Sequence, residues 1–448
     1  MEALKQFLKK YIIPESLLKT FRPFYHGLLA LVADFYFGRP SSKMVVIGVT
    51  GTAGKSTTVQ MLARILNYHS FLNPSPSRGG KAYRCGFITT ISFFDGEQEH
   101  INKHGLSMPG GPLLQKQLCA ILDRGCKYAV VECTSEGLAQ NRHLGINFDM
   151  AVFTNLSPAH LDNHGGSFEK YKQAKGKLFK AVGRENAGKA IVVNLDDGSA
   201  EYFLKFRAQK KVAVSFAGKE SGLADQVFQA KEVDQGFELD GKKFEVKLFG
   251  KFNNQNAGLA AVAAKILGVS LTEAARAISN FDKIRGRMET VSSNRNIIII
   301  VDYGCEPATI KAALLSAKEL PHKKLIHVFG ATGGHRDVGK RFEFGKISAE
   351  LADEIIITND DVYDSDPEEI TKNIESGIRN QKLRAGKYEI ILDRQSAIRR
   401  ALEIAQPGDV VLITGKGSEQ FLVLPGNKRI VWDDVSVVKQ ELDKISNF

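Results

Sequence analysis

A mostly parallel α/β fold, with two sheet-bearing domains behind a short helical N-terminal segment, is predicted by three observations. From Met44 onward, short apolar runs alternate with longer stretches of helical periodicity, the pattern of a parallel sheet covered by helices. The alternation breaks at the basic, glycine-containing segment Asp282-Lys-Ile-Arg-Gly-Arg287 and then restarts. Residues 1–43 precede it and read as helix closed by Arg39-Pro40-Ser41-Ser42. The expected division is therefore 1–43, a central domain over 44–286 and a C-terminal domain over 287–448, in keeping with a chain about three times the usual domain length.

The first segment is amphipathic. Its apolar patch, 24–37, is broken by His26 and Asp34, and at about 14 residues it is too short to span a bilayer. Lys19, Arg22, Arg39 and Lys43 flank it. Two uses fit: docking on the protein's own body, or peripheral contact with an anionic membrane surface. The start Met-Glu-Ala-Leu-Lys lacks the charge order and cleavage site of a signal peptide. The five cysteines, Cys85, Cys119, Cys126, Cys133 and Cys305, occur singly without CxxC spacing. Neither a zinc site nor a disulfide framework is implied, and a reduced, cytoplasmic setting is expected.

In the central domain the expected strands are 45–49, an edge pair within 86–94, then 128–132, 150–154 and 190–194, with helices to 66 and over 113–124 and 168–181. A β-rich stretch, 212–248, turns at Asp240-Gly241, and a helix over 253–267 follows. After the restart, apolar runs at 297–301, 325–329, 354–357 and 410–413 each end in a polar or glycine-rich loop. Ligands bind outside the carboxyl ends of such strands, so a second ligand-binding domain is expected.

The most informative stretch is Gly51-Thr-Ala-Gly-Lys-Ser-Thr57. It lies between the apolar run 44–50 and the helical pattern Val59, Leu62, Ala63, Leu66. A strand, a glycine-rich turn and a helix N-terminus make a phosphate site, with backbone N–H groups and the helix dipole facing the anion. Lys55 and Ser56 take the phosphate-binding and Mg²⁺ positions. The usual pattern wants a glycine five positions before Gly54, where Val49 stands, so the loop is a shortened form. Nucleoside triphosphate binding is expected. The net charge of +11 suits such anionic substrates, while the scattered basic residues make no stripe with interleaved aromatics, and a nucleic-acid groove is not expected.

Strand 128–132 ends on Glu132, as a metal-assisted triphosphate site requires. His160 follows the next strand in the loop Asn155-Leu-Ser-Pro-Ala-His160-Leu-Asp-Asn-His164-Gly and shares that face, which favours a metal role. Lys175 falls inside the apolar stripe Tyr171, Ala174, Leu178, Phe179, whereas Lys170, Lys177 and Lys180 point away. Two readings remain. Its stem is buried with the ammonium reaching water, or desolvation keeps the amine neutral and able to capture CO₂ as a carbamate that holds a second Mg²⁺.

Together these pieces resemble the Mur ligase family of ATP-dependent amide-forming enzymes. The segments TGTAGKST, VVECTSEGL, NLSPAHLDNHG, YKQAKGKLF, FGKFNNQNAGLAA, GRME, VDY, FGATGGHRD and TGKGSE stand in family order from Met44 to the C-terminus. The closest branch is the UDP-N-acetylmuramoyl-tripeptide synthetases, which add the third residue of a peptidoglycan stem peptide. The resemblance implies an N-terminal uridine-binding domain, a central ATPase and a C-terminal Rossmann-like domain. It implies ATP, two Mg²⁺, and Lys175 as a carbamylated lysine, with Gly51, Thr52, Ala53, Gly54, Lys55, Ser56 and Thr57 around the phosphates. Ser56, Glu132, His160 and Lys175 would serve the metals, and Lys55, Lys175, His160 and Arg287 the chemistry. Asn253 and Asn256 fall in the adenine-side motif, and Arg287 and Asp302 match residues that reach γ-phosphate and ribose. Thr134, Gln140 and Arg142 match positions holding the muramoyl peptide, UDP-linked or lipid-linked. Arg336, Asp360, Asp361, Gly415 and Glu419 line up with the pocket for the incoming amino acid. A monomer is expected.

This chain departs from the family pattern in several places. The segment before Met44 is far shorter than the uridine-binding domain. Cys305 and Ser418 stand where histidines are common, and Asp360-Asp361-Val362-Tyr363 replaces the DNPR of diaminopimelate-adding members. Without an arginine at 363 a bidentate grip on a distal carboxylate is missing. Diaminopimelate is therefore not the expected amino acid, and Asp360, Asp361 and Asp364 suit a lysine-like cation. The competing readings are a family relative with another acceptor, lipid-linked or folylpolyglutamate-type, and a nucleotide-binding subunit without ligase chemistry.

Overall fold

In the computed structural model, residues 15–73, 84–102, 107–159, 161–183, 189–334, 338–380 and 387–446 are described. Helix α1 (Glu15–Tyr36) opens the chain, and α2 (Lys55–Leu72), α3 (Gly111–Asp123), α4 (Phe168–Val182) and α5 (Phe252–Ile266) are the long helices of the first half. Its strands are β1 (Val45–Thr50), β2 (Arg84–Ile88), β3 (Ser92–Phe94), β4 (Glu99–Ile101), β5 (Cys126–Glu132), β6 (Met150–Phe153), β7 (Ala190–Asn194), β8 (Lys210–Ser215), β9 (Gln226–Val233), β10 (Gly236–Leu239) and β11 (Lys242–Glu245). They form one eleven-stranded sheet in the order β11-β10-β9-β8-β7-β6-β1-β5-β2-β3-β4.

The pairs from β9 through β8, β7, β6, β1 and β5 to β2 are all parallel, and only the two ends of the sheet are antiparallel. Strands β1, β5, β6 and β7 are nearly all apolar and buried along their length, as strands covered on both faces must be. Clusters on the two faces include Leu62, Val130 and Ala260 on one side and Phe148, Leu178 and Phe203 on the other. The β-rich stretch expected over 212–248 does not make a separate layer. It continues the same sheet, because Val212–Ser215 pairs in parallel with both β7 and β9.

The second half contains β12 (Glu289–Val291), β13 (Ile298–Asp302), β14 (Leu325–Phe329), β15 (Glu354–Ile357), β16 (Lys387–Ile390) and β17 (Val410–Thr414), ordered β12-β13-β17-β14-β15-β16. Only the edge strand β12 runs antiparallel. All four apolar runs expected here are strands, whereas β12 and β16, short and rich in polar residues, are additions the periodicity did not carry. Two further strands, Phe421–Leu424 and Lys428–Val431, form a separate hairpin. The central β17 is flanked by β13 and β14, so the chain crosses over it between them.

Inside this sheet the imidazole of His327 is fully buried between Ser348 Oγ (2.8 Å) and Thr414 Oγ1 (3.0 Å). Burial, with the nearby Arg394 guanidinium, holds its pKa down at about 3 against an ordinary 6.5. The unfolded chain therefore takes up a proton that the folded chain refuses in that window, so this site's stability is full above about 6.5 and is lost as pH falls toward about 3. Denaturant midpoints measured from neutral pH down to pH 4 should fall less steeply for His327→Gln than for the parent.

Candidate active site

The register of three parallel strands brings the phosphate loop, an acid and a polar anchor to one edge. Val49 of β1 pairs with Glu132 of β5, and Thr50 pairs with Phe153 of β6, so the loop after β1 lies between the ends of its two neighbours. Thr52 N–H donates to the Asn155 carbonyl (2.8 Å), Ala53 N–H to Asn155 Oδ1 (2.9 Å), and Thr154 Oγ1 to the Ala53 carbonyl (2.7 Å). Neither glycine of this loop has room for a side chain. A Cβ on Gly54, whose φ is +78°, would stand 2.2 Å from Asn256 Oδ1, and one on Gly51 would stand 1.9 Å from Thr154 Oγ1. The loop is thus a backbone cradle at the start of α2, with the open N–H groups that bind phosphate.

Ser56 Oγ donates to Glu132 Oε2 at 2.7 Å. The Glu132 carboxylate, 2% exposed, also accepts from Thr90 N–H and Thr90 Oγ1, both at 2.9 Å. Thr90 was not singled out from sequence, and a threonine in an edge turn carries no signal by which it could have been. Lys55 Nζ donates to the Thr52 carbonyl at 2.8 Å. The cleft walls lower its pKa through desolvation, with Glu132 pulling the other way.

Lys175 is buried at 1% exposure. Its Nζ donates to the Gly51 carbonyl at 2.7 Å and lies 4.5 Å from the centre of the Tyr171 ring, whose hydroxyl is 3.0 Å from Thr52 Oγ1. The stem-only reading, with an ammonium reaching water, is excluded by this placement. Desolvation, with Lys55 next, holds the amine well below the usual lysine range. Three of the four groups expected to converge, Lys175, Glu132 and the phosphate loop, therefore line one cleft of about 400 Å³. The fourth, His160, lies outside the described residues. His164 is buried, its Nε2 has no hydrogen-bond partner among the described residues, and its ring packs edge-on to Tyr171.

Across the cleft, Asn256 Nδ2 donates to Asn253 Oδ1 (3.1 Å) on the first turns of α5. The Arg287 guanidinium stacks 4.2 Å from the Tyr303 ring. The Asp302 carboxylate accepts from Met288 N–H (2.9 Å) and Gly304 N–H (2.7 Å), which ties the segment after residue 286 to the end of β13. Asn253, Asn256, Arg287, Asp302 and Thr134 all face the same cleft as Lys55. Cys305, in place of the expected histidine, faces it too, its thiol pushed up to about 12 by burial and by Glu306.

Gln140 and Arg142 sit on the turn beyond the short helix Ser135–Ala139, which Thr134 caps through its Oγ1. Arg142 donates twice to Gln140 Oε1 (3.1 and 2.7 Å) and once to the Met108 carbonyl (2.6 Å). They do not line the main cleft.

The residues expected to form an amino-acid pocket are corrected in part. Asp360, Asp361, Gly415 and Glu419 do cluster, but around Lys416, a fully buried lysine that the sequence reading passed over. Its Nζ pairs with Asp361 Oδ1 (2.7 Å), with Glu419, and more distantly with Asp360 (3.9 Å). Asp361 Oδ1 further accepts from Val423 N–H at 2.9 Å. A buried ammonium needs such neutralisation. Burial opposes the charge on Lys416, but Glu419, Asp360 and Asp361 outweigh it and hold the pKa above the lysine range. These acids are therefore already partnered, and only Asp364 of the expected trio is exposed. Arg336 lies outside the described residues.

The donor set fits a hard cation. Ser56 and Glu132 offer oxygens, and among the described residues no group of three or more His, Cys, Asp or Glu side chains converges as a metal cage. Mg²⁺ commonly keeps several waters and takes one or two protein oxygens beside phosphates.

Two family profiles match the chain: the Mur ligase middle domain over residues 49–264 and the Mur ligase, glutamate ligase domain over residues 286–417. UDP-N-acetylmuramoyl-L-alanyl-D-glutamate–2,6-diaminopimelate ligase of Geobacillus kaustophilus is 34% identical, over 92% of this chain and 81% of that protein. The enzyme of the same name from Clostridioides difficile is 32% identical, over 93% and 82%. Among solved structures, a UDP-N-acetylmuramoyl-L-alanyl-D-glutamate–2,6-diaminopimelate ligase superposes with a TM-score of 0.59 at 27% identity, covering 95% of this chain and 83% of that one. A pseudomurein peptide ligase type C from Methanothermus fervidus, 21% identical, shares the fold with a TM-score of 0.62, over 90% and 79%. With both family domains matched in order and relatives above 30% identity along most of its length, this chain belongs to the Mur ligase family.

Proposed function

We propose that the chain is an ATP-dependent ligase that joins an amino acid to the carboxylate of a muramoyl peptide, in peptidoglycan precursor synthesis. The observation that carries this reading is the buried Lys175 amine, 2.7 Å from the Gly51 carbonyl and in one cleft with Lys55, Ser56 and Glu132. A phosphate loop alone would serve many nucleotide enzymes. An amine held neutral beside it would not be needed by most of them.

In the proposed reaction an acceptor carboxylate oxygen attacks the γ-phosphorus of ATP and the bond to the bridging oxygen breaks, leaving ADP and an acyl phosphate. The amino group of the incoming residue then attacks the acyl carbon, phosphate departs, and the nitrogen loses a proton to water. The N–H groups at the start of α2, from Gly54 to Thr57, and the Lys55 ammonium hold the phosphates within the loop Gly51 to Thr57, Arg287 meets the γ-phosphate from the opposite wall, and Asn253 and Asn256 bound the adenine side. Such fixed charges stabilise the transferring group without reorganising in the transition state. Ser56, Glu132 and His160 would hold Mg²⁺, which neutralises phosphate charge when bound. The neutral Lys175 nitrogen would attack CO₂ and lose a proton, and the resulting carbamate would serve a second ion. Thr134, Gln140 and Arg142 would hold the acceptor. Asp302 organises the wall that carries Arg287.

Lys175→Ala should reduce acceptor-dependent phosphate release by at least about 100-fold, the scale of losing one electrostatic stabiliser, while ATP binding persists. Added acetate or propionate should restore part of the rate, and an unaltered rate in the variant would overturn the carbamate role. The Asp360 to Tyr363 segment has no arginine, so diaminopimelate should not be turned over faster than lysine. Rates with each amino acid under saturating acceptor check this, and a strong diaminopimelate preference would refute it.

A further inference from the structure

Helix α1 is apolar on two opposite sides. At about 100° per residue, Gly27, Ala30, Ala33 and Asp34 fall on one side and are buried there. That side packs on α3 and on the turn carrying Gln140 and Arg142. A Cβ on Gly111 would stand 2.5 Å from Ala30, Gly27 faces Leu144, and Asn141 Nδ2 donates to the Pro23 carbonyl at 3.3 Å. On the opposite side a stripe runs from Phe21 to Tyr36 through Phe24, Leu28, Leu31 and Phe35, each between 49% and 80% exposed. The stripe covers an arc of about 140° and is about 22 Å long at the helical rise.

The geometry points to this outer face of α1 as an in-plane docking surface for an anionic lipid bilayer. Scattered apolar side chains are ordinary on a protein surface, but a contiguous stripe marks an interaction site. Charge selects the occupant. Arg22 on the helix flank and Arg39 and Lys43 just beyond its end are exposed and have no ion pair among the described residues. Asp34 is the only acid between residues 16 and 43, and it is buried on the inner side. Along α1 and the turn after it, from residue 16 to 43, the exposed charges bordering the stripe are thus all positive, while Glu136 lies near His26 on the inner flank. No described helix is long and apolar enough to cross a membrane, so α1 would lie along the surface with its aromatic side chains at the headgroup boundary and its cations against anionic lipid. The turn bearing Gln140 and Arg142 would then stand about one helix diameter, roughly 10 Å, from the lipid, which, on the function proposed above, sets these acceptor residues toward the bilayer.

Vesicle flotation of the full chain tests this without reference to turnover. Binding is expected to phosphatidylcholine vesicles containing phosphatidylglycerol, weaker to phosphatidylcholine alone, and reduced by salt. Leu28→Glu/Phe35→Glu should weaken binding at least about tenfold while leaving ATP binding and the melting temperature near the parent's. These side chains touch solvent, so folding is not at stake, and Arg39→Glu/Lys43→Glu should remove the preference for phosphatidylglycerol alone. Absence of binding to anionic vesicles would overturn the proposal, as would equal binding by the Leu28→Glu/Phe35→Glu variant. A dimer that this variant dissolves, with no vesicle binding by the parent, would instead assign the face to a second copy.

Discussion

The contact between the Lys175 amine and the Gly51 carbonyl is the constraint on which the rest of the site turns. An ammonium in that position would be far from water and close to the Lys55 charge, and such burial disfavours the protonated form. The amine is held there by one hydrogen bond to a carbonyl and by the face of the Tyr171 ring, with Glu132 acting against the desolvation. That placement in turn requires α4 to pack closely under β1. Leu178, three residues on, comes so near Gly48 that a Cβ there would stand 2.5 Å from it. A glycine in the middle of a buried strand is otherwise a weak choice, and here it sets the depth at which the lysine enters.

A second constraint shapes the wall of the cleft that carries Arg287. Asp302 ends β13 with both carboxylate oxygens engaged by backbone N–H groups on either side, and its burial raises its pKa despite the nearby Arg287. Gly286, at φ +58°, lies so close to Gly417 and Ser418 that a Cβ would stand 2.1 Å from Ser418 N. The loop after β17 therefore supports the segment that aims Arg287 across the cleft. Ser418 is small and buried there. Arg287 and Asp302 on this wall line the same cleft as the phosphate loop.

The Lys416 cluster and α1 show the same principle with opposite outcomes. Three acids near one loop look like a cation site until a buried lysine in their midst is counted, and its ammonium then satisfies them internally. In α1 the apolar residues look sufficient for one buried face, yet they form two faces, and among the described residues only one of them is covered by the protein's own surface.

Much of the site was legible in the sequence because its parts are local. The phosphate loop, the strand ending in Glu132 and the helix carrying Lys175 each follow from residue order, and parallel strands bring their carboxyl ends to one edge whatever the details. The apolar runs likewise declared most strands of both sheets. What only the tertiary structure decided were relations between segments far apart in the chain: Thr90 beside Glu132, Lys416 beside Asp360 and Asp361 more than fifty residues away, and the continuation of the first sheet through β8 and β9. Periodicity reports how much of a residue is buried, since burial repeats with the helix or strand. It carries no information about which distant partner does the burying, because that depends on how whole elements pack.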